Sequence, residues 1–273
     1  MALLRHGVPP LVLLIVSISP SKARAQVRPD QAALAAAIAN GSYDERMDAL
    51  AKLRRIPPGE RGPAVRSALV QELRRQAKDL EDRRRARIAG HPMPPVADEG
   101  ESLFEELELV TQHRDPTLIP AVVPHLETGN RVAMWLAWFG EPAVPYVLEV
   151  AASNDPGHEA EVYSALETLR FMVEGVGRNP ITPTTRAEIA SLALERLTGR
   201  QYFGILWGAI DLGGVMLDRP EIRDVFKSLS SDTDAIKARG ISDPDLIEKT
   251  RQRAADRLAG IPPLPRWQDP FRR

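Results

Sequence analysis

The residues of this chain best equipped for chemistry are the four histidines that follow residue 25, His91, His113, His125 and His158, and a block of acids, Asp98, Glu99, Glu101, Glu105, Glu106 and Glu108. A run of arginines at positions 83, 84, 85 and 87 and one acid, Asp211, inside the apolar stretch "LWGAIDLGGVML" complete the set. Imidazoles and carboxylates bind metals and move protons, so their spacing decides what they can do. No HExxH, no His-x-His and no carboxylate pair at ligand spacing accompanies the histidines, and the chain has no cysteine. A metal site would need nitrogen and oxygen donors gathered from remote positions. There is no Gly-x-Ser-x-Gly elbow to present a nucleophile, and "GVGRNP" (Gly175 to Pro180) reads as a turn between helices, not a nucleotide-binding strand-to-helix turn. The expectation is a chain with no catalytic residues, no metal and no cofactor.

The charged groups have structural readings instead. Glu81 and Asp82 adjoin the arginine run, no aromatic side chain is interleaved with it, and the formal net charge is −1, so nucleic acid is not an expected partner. The basic helix end and the acidic block flank "HPMPPVADEG", where prolines 92, 94 and 95 forbid helix. That arrangement predicts a charge-complementary hairpin. Asp211, if buried, needs a partner, for which Arg170 and Arg178 are the candidates. Trp135, Trp138, Phe139, Phe171, Tyr202, Phe203 and Trp207 are expected to fill space between helices, the alternative being a pocket for an apolar ligand.

The elements that must position these groups are helices. With 43% hydrophobic residues over 273 positions the chain can bury a real core, and from Asp30 onward the apolar spacing is helical with no alternating strand run. A long helix is predicted from Pro63 to about Ala89, its second half charged all round and projecting from the body. Further helices are expected over 158–174, 183–197, 202–217, 220–229, 234–239 and 244–258. Several start alike: "RGPAVRSALVQEL", "RDPTLIPAVVPHL", "FGEPAVPYVLEVA", "LDRPEIRDVFKSL" and "SDPDLIEKTRQRA" each place a proline near the first helical position, where its missing N–H is harmless and its fixed φ suits the helix. Apolar ladders follow, as in Leu118, Ile119, Val122, Val123 and Leu126, or Val144, Val147, Leu148 and Ala151. Such wide faces require stacked neighbours, the logic of a solenoid.

"DPTLIPAVVPHL" and "GEPAVPYVLEVA" resemble the second helix of bacterial HEAT and HEAT-like repeats, the type also found in bilin (PBS) lyase subunits. The resemblance is closest over Glu101 to Ser153 and extends loosely to Gly260. It implies an all-α solenoid of antiparallel helix pairs with irregular repeats, a curved surface lined by second helices, and a scaffold role with no specific activity. On that surface His125, Tyr146, Glu149, Arg223 and Lys227 fall away from the apolar ladders and are the expected contacts to a protein partner. The alternatives are an enzyme-associated subunit or a carrier of an apolar small ligand.

Residues 1–25 read as a signal peptide: Arg5, an apolar run "LVLLIVSI" and "ARA" before Gln26. The run is too short to span a bilayer, so an exported chain without stable membrane insertion is expected, in the periplasm or outside the cell. Removing Arg5, Lys22 and Arg24 takes the formal charge from −1 to −4. The expected organisation is then an N-terminal helical segment over 26–100, the HEAT-like repeats over 101–260, and a proline-rich extended tail over 261–273.

Overall fold

In the computed structural model the residues described are 30–92, 99–128 and 130–264; the expected signal peptide, most of the proline loop and most of the tail lie outside them. Every regular element among the described residues is helical. α1 (Gln31–Asn40), α2 (Tyr43–Leu53) and α3 (Pro63–Ile88) pack together, and α4 (Glu99–Thr111) lies against α2 and α3. Then come α5 (Ile119–Val122), α6 (Asn130–Phe139), α7 (Val144–Ala151), α8 (Glu159–Val173), α9 (Pro183–Thr198), α10 (Phe203–Gly214), α11 (Pro220–Ser231), α12 (Thr233–Ala238) and α13 (Pro244–Leu258). α8 packs on α6, α7 and α10, α10 on α9 and α13, and α13 on α11 and α12.

The helix starts follow the sequence signals. Ser42 and Glu45 form a reciprocal capping box on α2. Proline occupies the first position of α3, α9, α11 and α13, with Thr182 and Asp243 accepting backbone N–H bonds ahead of α9 and α13. The stretch from Pro116 differs from the single helix its ladder predicts. It is a 3-10 turn (Pro116–Leu118), the four-residue α5, and a second 3-10 segment (Val123–Thr128) kinked at His125. Pro120 and Pro124 each remove an amide that a continuous helix would bond four residues back, so the segment breaks while its apolar side chains stay buried.

The "GEPAVP" joint is a clamp between two helix connections, α6 to α7 and α8 to α9. Gly140 adopts φ +64 and leads into a 3-10 turn (Glu141–Ala143) before α7. The connection between α8 and α9 docks on it: Arg178 N–H donates to Trp138 O at 2.8 Å, Glu141 N–H to Asn179 O at 3.2 Å, and Thr182 N–H to the Glu141 carboxylate at 2.9 Å.

Arginines, two of them buried (Arg61 and Arg196) and two half-buried (Arg186 and Arg239), close helix ends. Arg196 donates from Nε to Ala151 O (3.0 Å), from Nη2 to Ser153 O (2.8 Å) and from Nη1 to Asn154 Oδ1 (2.6 Å), satisfying the end of α7. Arg61 reaches Leu109 O near the end of α4 at 3.0 Å, and Arg186 reaches Val173 O and Val215 O at the ends of α8 and α10 at 3.4 and 3.3 Å. Arg239 does the same at Leu197 O of α9.

A Cβ at position 140 would stand 1.8 Å from the Asn179 carbonyl oxygen on a backbone already at positive φ. Gly140→Ala should therefore destabilise the protein by at least about 3 kcal/mol in urea unfolding, against about 0.5 kcal/mol or less for Gly59→Ala, where space is open.

Candidate functional site

An open cleft of about 740 Å³ lies between the second half of α3 and the region of α5, α7 and the start of α8. From α3 it receives Ala77, Leu80, Glu81 and Arg84, a spacing of i, i+3, i+4 and i+7 that puts all four on one helical face. This corrects the expectation that the charged half of α3 projects from the body. Arg84 is only 7% exposed, because the buried acid Glu161 and the partly buried Glu127 and His158 give its guanidinium partners. The opposite wall is Pro120, Val123 and Pro124, then Tyr146, Glu149 and Val150 of α7. The loop Ser153 to Asp155, whose backbone Arg196 holds, closes one end.

The floor of the cleft is a compact charge cluster. Arg84 donates from Nη1 to Glu81 Oε2 at 2.6 Å, from Nη2 to Glu127 Oε2 at 3.1 Å, and from Nη2 to Glu161 Oε1. His158, the N-cap residue of α8, brings Nδ1 to 2.7 Å from Glu161 Oε2. Burial raises the Glu161 carboxyl above the usual carboxylate range, although Arg84 opposes it. Burial also works against the Arg84 charge, but Glu161 and Glu127 outweigh it and hold the guanidinium above its ordinary value.

Of the five residues expected on a partner surface, two meet here: Tyr146, 40% exposed, and Glu149 both line the cleft. Arg223 and Lys227 are exposed on α11 and are not among the residues lining the cleft; Arg223 Nε donates to Leu217 O at 2.9 Å and Lys227 pairs with Asp224 at 2.8 Å. His125 corrects the expectation outright, being 0% exposed. The kink after α5 turns it inward, where Nε2 lies 3.0 Å from Leu73 O. A carbonyl can only accept, so the ring proton sits on Nε2, and burial holds the imidazole neutral by lowering its pKa to about 4.

Asp211 is 0% exposed, and its partners are Arg253 and Arg257 of α13, not Arg170 or Arg178. α13 covers α10 on this side, placing Arg253 Nε at 2.9 Å and Arg257 Nε at 3.1 Å from Oδ1. Arg170 pairs instead with Glu174 at 2.9 Å. Of the expected basic-acidic hairpin, Asp98 and the side chains of Glu99 and Glu101 lie outside the described residues; Glu105 and Glu108 bond Arg54 of α2 at 2.6 and 3.1 Å, and Arg84 and Arg85 pair with Glu81, Glu127 and Glu161. Trp135, Phe139 and Phe171 are core side chains, whereas Tyr202 is exposed and stacks with Phe203. Among the described residues no group of three His, Asp or Glu side chains is placed to hold a metal ion, and no helix is long and apolar enough to cross a membrane.

A second buried cluster joins α2, α3 and α4. Glu72 pairs with Arg46 at 3.0 Å and Arg75 at 2.7 Å, while Gln76 Nε2 donates to Glu106 Oε2 at 2.9 Å. Glu106 Oε1 is buried without a hydrogen bond. Burial, then the nearby Glu72 charge, pushes the Glu106 carboxyl from 4.5 up to about 8. Between those two pH values the folded state holds a proton that the unfolded chain has released, so this group lowers stability as pH rises. Glu106→Gln should abolish that part of the slope: the urea midpoint of the wild type relative to the variant falls between pH 5 and pH 8.5. Parallel midpoints at all pH values would contradict a protonated Glu106.

Compared with protein-family models, curated proteins and solved structures, the chain matches none of them, so its function rests on the geometry of its own surfaces.

Proposed function

We propose that the chain is an exported HEAT-like repeat protein, a solenoid of stacked helix pairs that acts as a protein-binding or scaffold module. What supports the repeat reading is the order of packing. α6, α8, α10 and α13 touch in succession, and α7, α9 and α11 each lie against one of them. Proline-marked starts recur before α7, α9 and α11, as repeated helix pairs require. Export is supported by the apolar run and the "ARA" site ahead of Gln26.

The observation that carries the binding role is the cleft: an exposed tyrosine, an exposed rim acid at Glu149 and proline walls stand over a floor whose arginine is already bonded to three carboxylates. A tyrosine on a rigid concave wall supplies contact area at small entropic cost. The buried Trp135, Phe139 and Phe171 spend their rings on the core, which weighs against the carrier of an apolar ligand.

Affinity capture from an envelope extract tests the role with three forms of the tagged chain. The wild type and Arg223→Glu/Lys227→Glu should retain a protein partner that Tyr146→Ala/Glu149→Lys loses, all three keeping the wild-type circular dichroism. Loss in the α11 variant alone would move the contact to that face, and recovery of a small molecule with no protein would overturn the scaffold reading. The intact mass of the chain recovered from the envelope should correspond to a start at Gln26; a chain still carrying residues 1–25 would contradict cleavage.

A further inference from the structure

We propose that Glu106 and Gln76 form a cyclic acid–amide pair, the protonated carboxyl donating to Gln76 Oε1 while Gln76 Nε2 donates back, and that this pair is a latch holding α4 on α3 which opens when the carboxyl ionises. The first observation is the inventory of bonds. Glu106 is fully buried and Gln76 nearly so. Gln76 Nε2 donates to Glu106 Oε2 at 2.9 Å and to Glu72 Oε1 at 3.1 Å, while Gln76 Oε1 and Glu106 Oε1 are both buried without a hydrogen bond. Two acceptors cannot satisfy each other, and a single proton turns one of them into a donor. The nitrogen and oxygen of an amide are spaced like the two oxygens of a carboxyl, so an acid bonded to the amide nitrogen through one oxygen can present its hydroxyl to the amide oxygen. One proton thereby satisfies both buried atoms.

The surrounding charges favour that proton. α2 contributes Arg46 and α3 contributes Glu72 and Arg75; Arg46 and Arg75 both bond Glu72, at 3.0 and 2.7 Å. On α4 itself, Glu105 and Glu108 face Arg54 of α2. An ionised Glu106 would meet the Glu72 carboxylate across one shared amide, with both nearby guanidinium groups already engaged, an arrangement that burial penalises. The position of the pair makes it a latch. Arg61 holds the last turn of α4 through Leu109 O and Gln112, and Arg54 meets Glu105 and Glu108 at the exposed edge, so Glu106 is the polar contact from the middle of α4 into its buried face against α3. Opening brings Glu106 into water, where it ionises near 4.5, whereas closed it keeps the proton to about 8. Opening therefore releases a proton, and the open population rises up to about tenfold per pH unit between these two values and levels off above them.

Native-state hydrogen exchange on the full chain, read by mass spectrometry, tests the latch. Amides of α4 should be less protected than those of α10, lose up to about tenfold protection per pH unit between about pH 5 and pH 8, and respond little to urea below the unfolding transition, since a local opening exposes little surface. Glu106→Gln, whose amide can replace the protonated carboxyl, should make α4 protection independent of pH. Infrared spectroscopy checks the pair itself: the band of a protonated carboxyl should be present at neutral pH, absent from Glu106→Gln and displaced in Gln76→Met, where the hydroxyl loses its acceptor. If α4 exchanges with the same protection and the same urea dependence as α10, it opens only with the whole fold and there is no latch. Protection of α4 indifferent to pH overturns the latch as well, and a carboxyl band unmoved by Gln76→Met overturns the pair.

Discussion

Short helices packed side by side leave the carbonyls of their last turns without intrahelical partners, and closing those ends is the constraint on which the rest of this fold depends. A long helix dilutes the problem; a helix of eight residues such as α7 is mostly ends. The chain answers with guanidinium groups carried in from neighbouring elements. Arg196 gathers the end of α7 and the loop behind it, Arg61 the end of α4, Arg186 the ends of α8 and α10, and Arg239 the end of α9. Arginine suits the task because its five donors form a planar fork that can hold several acceptors while remaining charged, and a negative helix end partly compensates that charge. Arg61 and Arg196 are accordingly among the most buried charged residues of the chain.

The cleft is a consequence of the same device. The loop Ser153 to Asp155 is held in place by Arg196, and this fixes one end of the concavity. On the other side Arg84 ties the last third of α3 to the start of α8 through Glu161, turning a helix that would otherwise stand in solvent into a wall. A buried ion pair of this kind adds little net stability, since desolvation offsets attraction, but breaking it leaves a charge stranded, so it fixes geometry more than it strengthens the fold. Each cluster holds a carboxyl raised by burial, but Glu161 has Arg84 and His158 against it, whereas Glu106 has the Gln76 amide and the neighbouring Glu72 charge, which raises it further, to about 8.

Much of the helical organisation was legible in the residues, and the reason is local. Pro63, Pro183, Pro220 and Pro244 mark helix starts through their own φ and missing amide, and Ser42 with Glu45 through a capping box, none of which needs tertiary information. Tyr146 and Glu149 were legible as exposed positions because they lie off the ladder of Val144, Val147 and Ala151. What failed was whatever depended on a remote neighbour. His125 sits in a helical pattern that Pro124 breaks, and a kink of one residue rotates it from surface to core. Arg84 looked like one charge among many, since the acid that buries it lies 77 positions away. Asp211 shows in the sequence as an acid that needs a partner, but the arginines that supply it, Arg253 and Arg257, lie 42 and 46 positions further on, on a helix whose packing against α10 no local pattern reveals.

The measurement that tests this account most directly exploits the absence of cysteine from the chain, which lets two engineered cysteines be labelled cleanly. Spin labels at Lys78→Cys on α3 and Glu149→Cys on α7 straddle the cleft, and double electron–electron resonance reads the distance between them. The account predicts one narrow distance distribution that broadens toward longer separations when Arg84 is replaced by glutamine. A broad distribution in the parent, or a narrow one indifferent to the substitution, would contradict the claim that Arg84 builds the wall of the cleft.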